Sequence, residues 1–185
     1  MILPVIGFGA SILRKKCVDI SLDFPSLNSL IENMWETMYA ASGVGLAAPQ
    51  INKNLRLFII DTTPFSEDEE VNEDPVKKVF INARIIEETG DSWSFSEGCL
   101  SIPDLREDVS RKSTITIKYM DENFNKHTTT FDGLTARVIQ HEYDHIDGIL
   151  FTDKISALRK RMIKGKLIDI SKGKVNVAYK MRFSK

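Results

Sequence analysis

Cysteine is nearly absent from this sequence: Cys17 and Cys99 are the only two in 185 residues. At most one bridge could form, which excludes a disulfide scaffold and makes a reducing compartment the default expectation. No apolar run approaches the ~20 residues of a membrane-spanning helix. The first ten residues lack the basic stretch and sustained apolar core of a secretory signal. A cytoplasmic protein is therefore expected. Charge of one sign is also missing, with 25 Lys and Arg against 26 Asp and Glu, which argues against a sequence-specific nucleic-acid binder. There is no internal repeat and no linker. A single catalytic domain over residues 1–185 is expected, with a hydrophobic content of 42% and a length sufficient for a core.

Periodic segments are what the sequence does contain. Residues 25–41 predict an amphipathic helix, because Leu27, Leu30, Ile31, Met34, Trp35 and Met38 recur at three- and four-residue spacing. Pro25 suits its first turn and Gly43 its stop. Leu55–Asp61 predicts a buried strand and Val79–Ile86 a strand or strand pair. Between them, the acidic stretch Ser66–Pro75 predicts a solvated loop. Ile115, Ile117 and Tyr119 alternate along Thr114–Tyr119, Asp121–Asn125 reads as a turn, and Lys126–Phe131 returns as the hairpin partner. Asp132 suits the N-cap of a helix running to about Asp147, with Leu134, Val138 and Ile139 on its apolar face. A further helix is expected over Ser156–Ile170, packing Leu158, Met162 and Ile163 and stopped by Gly173. Val175–Met181 alternates and would close the chain as a strand. Strands first and helices later predict an α+β fold, with antiparallel sheets around the helix that holds His141 and His145.

Histidine is scarce too, with three in the chain, and two of them stand four apart in His141-Glu142-Tyr143-Asp144-His145. On a helix that spacing stacks both imidazoles on one face, able to converge on one ion. Glu142 beside the first ligand can reach water at the ion without binding it. A catalytic site needs a third ligand and an open position. After His145 there is no further His and no Glu, and Phe151 stands where the long zinc-protease pattern requires a histidine. Asp147, Asp153 and Asp169 are available carboxylates in no defensible pattern. Upstream, Cys99 in Glu97-Gly98-Cys99-Leu100-Ser101 offers a thiolate suited to iron, zinc, nickel or cobalt. His127 and Cys17 have no such company and read as ordinary structure.

Three segments together resemble the peptide deformylase family: Gly43-Val44-Gly45-Leu46-Ala47-Ala48-Pro49-Gln50, Glu97-Gly98-Cys99-Leu100-Ser101 and His141-Glu142-Tyr143-Asp144-His145. They stand in the family's order and at about its spacing. The resemblance implies a metal-dependent hydrolase that removes the N-formyl group from the formyl-methionine of new polypeptides, releasing formate. It implies Cys99, His141 and His145 as metal ligands, with Fe(II) the metal in the cell and zinc, nickel or cobalt able to replace it. Glu142 would be the general base and then acid, and Gln50 and the Leu100 N–H would stabilise the oxyanion. Gly45 would bind the substrate backbone, Val44, Phe95, Leu134 and Val138 would form the methionine pocket, and Arg106 would help hold the peptide. Partners would be N-formyl-methionyl nascent chains, with the ribosome near the exit tunnel a further candidate. Two regions depart from the simplest bacterial pattern: Ser66–Pro75 reads as an insertion, and Lys172–Lys185 as a strand where many relatives continue as a helix. Arg137 has no assigned role.

Overall fold

The computed structural model describes residues 1–66 and 73–184. In chain order the elements are β1 (Val5–Ile6), α1 (Leu27–Ala40), β2 (Gly45–Ala47), β3 (Leu57–Asp61), the single turn α2 (Thr63–Ser66), β4 (Lys77–Cys99), β5 (Ile102–Met120), β6 (Lys126–Asp132), α3 (Gly133–Ile146), α4 (Ala157–Ser171) and β7 (Met181–Arg182). Strands β2-β3-β4-β5-β6 form one antiparallel sheet in that order, and β1 pairs with β7 in a separate parallel ribbon. The α+β expectation holds.

β3 explains the layering. Its residues are all buried: Phe58 and Ile60 pack toward α3 with Phe80, Ile115, Ile117 and Ile139, while Leu57 and Ile59 pack toward α1 with Met34, Met38 and Ile81. A strand covered on both faces loses its alternation and reads as an unbroken apolar run, as Leu57–Asp61 does. The sheet thus carries α3 on one face and α1 on the other. α1 starts at Leu27 rather than Pro25, because Ser26 adopts a left-handed conformation (φ 59°) that interrupts the helical path.

Four expectations are corrected. The strand expected over Val79–Ile86 is only the beginning of β4, which runs through bulges to Cys99 and pairs with β5 along its length. Its middle, residues 86–92, is exposed to solvent, so no hydrophobic run marks the extension. Leu158 and Met162 do not pack. They are 65% and 63% exposed, because α4 rests on the body along a narrow stripe in which only Ile163 and Ile170 are buried. The strand expected over Val175–Met181 shrinks to Met181–Arg182, since its partner β1 is itself two residues long. Finally, Asp132 stands at the N-cap of α3 but its side chain makes no capping bond. The Glu73 carboxylate caps instead, accepting from the N–H groups of Leu134 (2.8 Å) and Thr135 (3.2 Å). Most of the acidic Ser66–Pro75 loop, residues 67–72, lies outside the described residues.

The other end of α3 is tied down from the residue that precedes β3. Buried Arg56 donates to the Asp147 carboxylate at 2.6 Å and to the Ala83 carbonyl at 2.9 Å, and its guanidinium lies over the Tyr143 ring. No helix of the described residues is long and apolar enough to cross a membrane.

Candidate metal centre

Strand and helix periodicities create the site together. Along β4 the two-residue repeat turns Glu97 and Cys99 to the same side. Along α3 the i, i+4 repeat aligns Arg137, His141 and His145 in one column facing them. The result is a cluster in which the Cys99 Sγ and one ring nitrogen each from His141 and His145 all lie within 4.8 Å of one another. Cys99 Sγ is 3.3 Å from His145 Nε2. A tetrahedral ion with metal–sulfur and metal–nitrogen bonds of zinc length would set sulfur and nitrogen about 3.5 Å apart, so the donors fit a single cation.

Glu97, unassigned from sequence, is the hub of the surroundings. It is 4% exposed and accepts from Arg111 through both oxygens (2.6 and 2.9 Å), from Arg137 Nη1 (3.0 Å) and from His141 Nδ1 (2.9 Å). Burial opposes its charge, but the bonds from Arg111 and His141 win and hold the carboxyl well below the usual range. With Nδ1 donating to Glu97, the His141 Nε2 is left available to a cation, the arrangement that fixes tautomer and ring orientation at metal sites. Arg137 also donates to the carbonyls of Val109 (2.8 Å) and Trp93 (2.6 Å) and stacks on the Trp93 ring. Its role is to neutralise Glu97 and tie β4 and β5 to α3. Arg111 further grips Asp144 at 2.7 Å.

Glu142 lies one residue from this column and faces the cavity. Its Oε2 is buried with no hydrogen-bond partner among the described residues. Burial pushes its carboxyl up to about 7, opposed by His141. Gly45 makes room for it, because a Cβ there would lie 2.5 Å from Glu142 Oε1. Burial also keeps His145 neutral, and the charge of His141 adds to that effect. His141 is pulled the other way, against its own burial, by Cys99 and Glu97. The donors, one sulfur and two imidazole nitrogens, form a set that suits a transition-metal cation.

Gln50 is buried and oriented. Its Oε1 accepts from the Ala47 N–H (2.8 Å), which turns Nε2 toward Cys99 Sγ (3.4 Å) and Ser101 Oγ (3.2 Å). A cavity of about 500 Å³ opens beside these groups. Val44, Gly45, Gln50, Phe95, Cys99, Leu100, Arg106, Val138, His141 and Glu142 all line it, while His145 lies behind at the cluster. Leu134 is not among the lining residues; it stands in the first turn of α3, held at the Glu73 cap. Arg106 donates to the Ser96 carbonyl at 2.7 Å, which draws it along the strand edge. Val177 and Tyr179 of the C-terminal segment also line the cavity; the alternation over Val175–Met181 marked them as strand positions, and nothing in the sequence pointed to a place at the site.

Comparison with known proteins agrees with this geometry. Residues 2–161 match the polypeptide deformylase family. A peptide deformylase of Christiangramia forsetii is 63% identical, with the match covering 99% of this chain and 96% of that protein. One from Flavobacterium johnsoniae is 57% identical, over 100% and 97% respectively. Among solved structures, a peptide deformylase from Legionella pneumophila superposes with a TM-score of 0.80 at 36% identity, covering 94% of this chain and 98% of that one. This chain belongs to the peptide deformylase family, metal-dependent hydrolases that remove the N-formyl group from newly made polypeptides.

Proposed function

We propose that Cys99, His141 and His145 hold one divalent cation and that Glu142 moves the protons of deformylation. The observation that carries this reading is the convergence of the three donor atoms within 4.8 Å, with the unpartnered Glu142 oxygen beside them. A bound cation supplies Lewis acidity, lowering the pKa of water and polarising the formyl carbonyl. Glu142 then accepts a proton from the attacking water and returns it to the leaving amine, a contribution of roughly 10²–10⁴-fold. As the formyl oxygen becomes negative, the Gln50 side-chain N–H and the Leu100 backbone N–H donate to it; one such donor is worth about 2.7–4 kcal/mol. Gly45 lets the extended peptide approach β2 closely. Val44, Phe95 and Val138 form the apolar wall for methionine, and Arg106 at the rim holds the chain beyond it.

The donor set, one soft thiolate and two imidazoles, admits iron, zinc, nickel or cobalt, and Fe(II) as the working metal is what the family resemblance implies. The whole chain would act as one catalytic domain in the cytoplasm, on nascent chains. A ribosome contact is supported by α4, whose exposed side carries Lys160, Arg161 and Lys164 and can meet phosphate. The test is formate release from a formyl-methionyl peptide, with and without chelator. Glu142→Gln is expected to retain the metal and lose at least about 100-fold in turnover. Near-normal turnover would remove Glu142 from this role, and chelator-resistant activity would remove the metal.

A further inference from the structure

The turn Cys99-Leu100-Ser101 carries a proposed ligand and a proposed oxyanion donor, so what holds it in place bears on the chemistry. Three contacts do. Gln50 Nε2 donates to Ser101 Oγ, the Phe8 N–H donates to the Ser101 carbonyl at 2.8 Å, and the Tyr179 hydroxyl donates to the Leu100 carbonyl at 2.8 Å. The first comes from the motif segment of Gln50. The last comes from the C-terminal segment, which lies beyond the residues that match the family and has no role in the reading above.

That segment is anchored rather than frayed. The Val5 N–H donates to the Lys180 carbonyl (2.8 Å) and the Gly7 N–H to the Arg182 carbonyl (2.9 Å), flanking Tyr179 on its C-terminal side. The Phe183 ring packs against Gly7 so closely that a Cβ there would overlap it. Residues 5–8 therefore bind both the C-terminal strand and, through Phe8, the Ser101 carbonyl. A hydroxyl fixed on such a strap can restrain the peptide it bonds, whereas one on a fraying tail could not.

We infer that Tyr179 is a positioning residue for deformylation: by bonding the Leu100 carbonyl it holds the Cys99–Ser101 turn so that the Leu100 N–H stays aimed at the developing oxyanion. The inference rests on the oxyanion role proposed for Leu100. A donor that acts on charge developing in the transition state affects kcat, and leaves ground-state binding of the substrate largely alone.

The experiment compares wild type with Tyr179→Phe, which keeps the ring in the cavity wall and deletes only the hydroxyl. Turnover is measured per protein-bound metal, so that unloaded molecules do not count. The expected result is a fall in kcat of about three- to tenfold, the worth of one hydrogen bond, with KM unchanged within about twofold. Hydrogen exchange of a peptide spanning residues 99–102 is expected to accelerate, with metal content unchanged and the melting temperature lowered by no more than about 2–4 °C. Wild-type kcat in Tyr179→Phe would overturn the inference. So would a change confined to KM, which makes Tyr179 a wall for the peptide only, or an equal loss of exchange protection throughout the chain, which makes the hydroxyl merely structural. Absence of formate release by the wild type would instead overturn the proposed function, so the two failures are distinct.

Discussion

Replacing Gly45 by alanine is the smallest change that tests the site as built. The added methyl would lie 2.5 Å from Glu142 Oε1, 2.7 Å from Cγ and 2.8 Å from Cδ. Carbon contacts relax at about 3.5–4.0 Å, so the whole carboxylate end must withdraw by about 1 Å. For Glu142 in the proton-transfer role proposed above, misplacement by that distance costs on the order of 100-fold in rate, or about 2.7 kcal/mol. The backbone offers no competing explanation. Gly45 is not among the glycines with positive φ, so alanine fits its strand conformation and would by itself stabilise the chain by about 0.4–1 kcal/mol through the unfolded state.

The assay is kcat/KM for formate release, with metal content and melting temperature measured on the same preparations. The expected variant is folded, metal-loaded and about 100-fold slower. A double-mutant cycle assigns the cause. If the methyl acts by displacing the base, Gly45→Ala adds little to Glu142→Gln, which has no base to misplace. An undiminished loss in that background would mean that the methyl blocks the peptide instead. Either that result or full activity of Gly45→Ala refutes the reasoning.

Glu97→Gln leaves Arg111 and Arg137 buried without their shared anion, so a destabilisation of about 3–5 kcal/mol is expected, along with metal affinity weakened roughly 10–100-fold; denaturant melts and metal titration check both. The pH dependence has a definite sign: a carboxyl held low in the fold contributes fully above its unfolded value of 4.5, and the wild-type advantage over Glu97→Gln should shrink as acid takes the pH below that value. Glu73→Ala removes the cap of α3 and should cost about 0.5–2 kcal/mol with metal affinity retained; an unchanged melting temperature would deny the cap its weight. Cys17 is 5% exposed and burial pushes its thiol up to about 11, so iodoacetamide at neutral pH should modify Cys99 of chelator-treated protein and spare Cys17; equal labelling in peptide mass spectra would contradict that burial.

What the sequence made legible were residues whose type and spacing determine their geometry. His141 and His145 meet because a helix repeats every 3.6 residues, and a scarce histidine pair at that interval has few other readings. The two faces of β3 were legible as one apolar run. Other features depend on distant partners and leave no local trace. Glu97 stood in plain view beside Cys99, yet its role depends on Arg111, Arg137 and His141 arriving from β5 and α3. The extension of β4 was partly visible: Ser92, Ser94 and Ser96 are exposed while Trp93, Phe95 and Glu97 turn inward, a period of two hidden among polar residues. Glu73 could not be foreseen as the cap of α3, since Asp132 occupies the local capping position and the substitute lies some sixty residues upstream. Tyr179 likewise sits in an extended segment whose path only the β1–β7 pairing defines.

The buried charges give the site something that packing alone could not. Apolar side chains tolerate sliding, and a slip of one residue in β4 would put Ser96 or Gly98 where Glu97 stands and turn the Cys99 thiol to the opposite face. Arg111 lies opposite Trp93 in the β4–β5 ladder, and its planar fork grips Glu97 on β4 and Asp144 on α3 at once. A bidentate guanidinium has few acceptable positions, so strand and helix are locked in one mutual register. That register sets Glu97 against His141 Nδ1 and Cys99 Sγ against His145 Nε2. Desolvating these charges is expensive and adds little stability compared with apolar residues of the same volume. The network is accounted for by the geometry it enforces: the three donor atoms proposed to hold a cation are oriented by contacts within the protein.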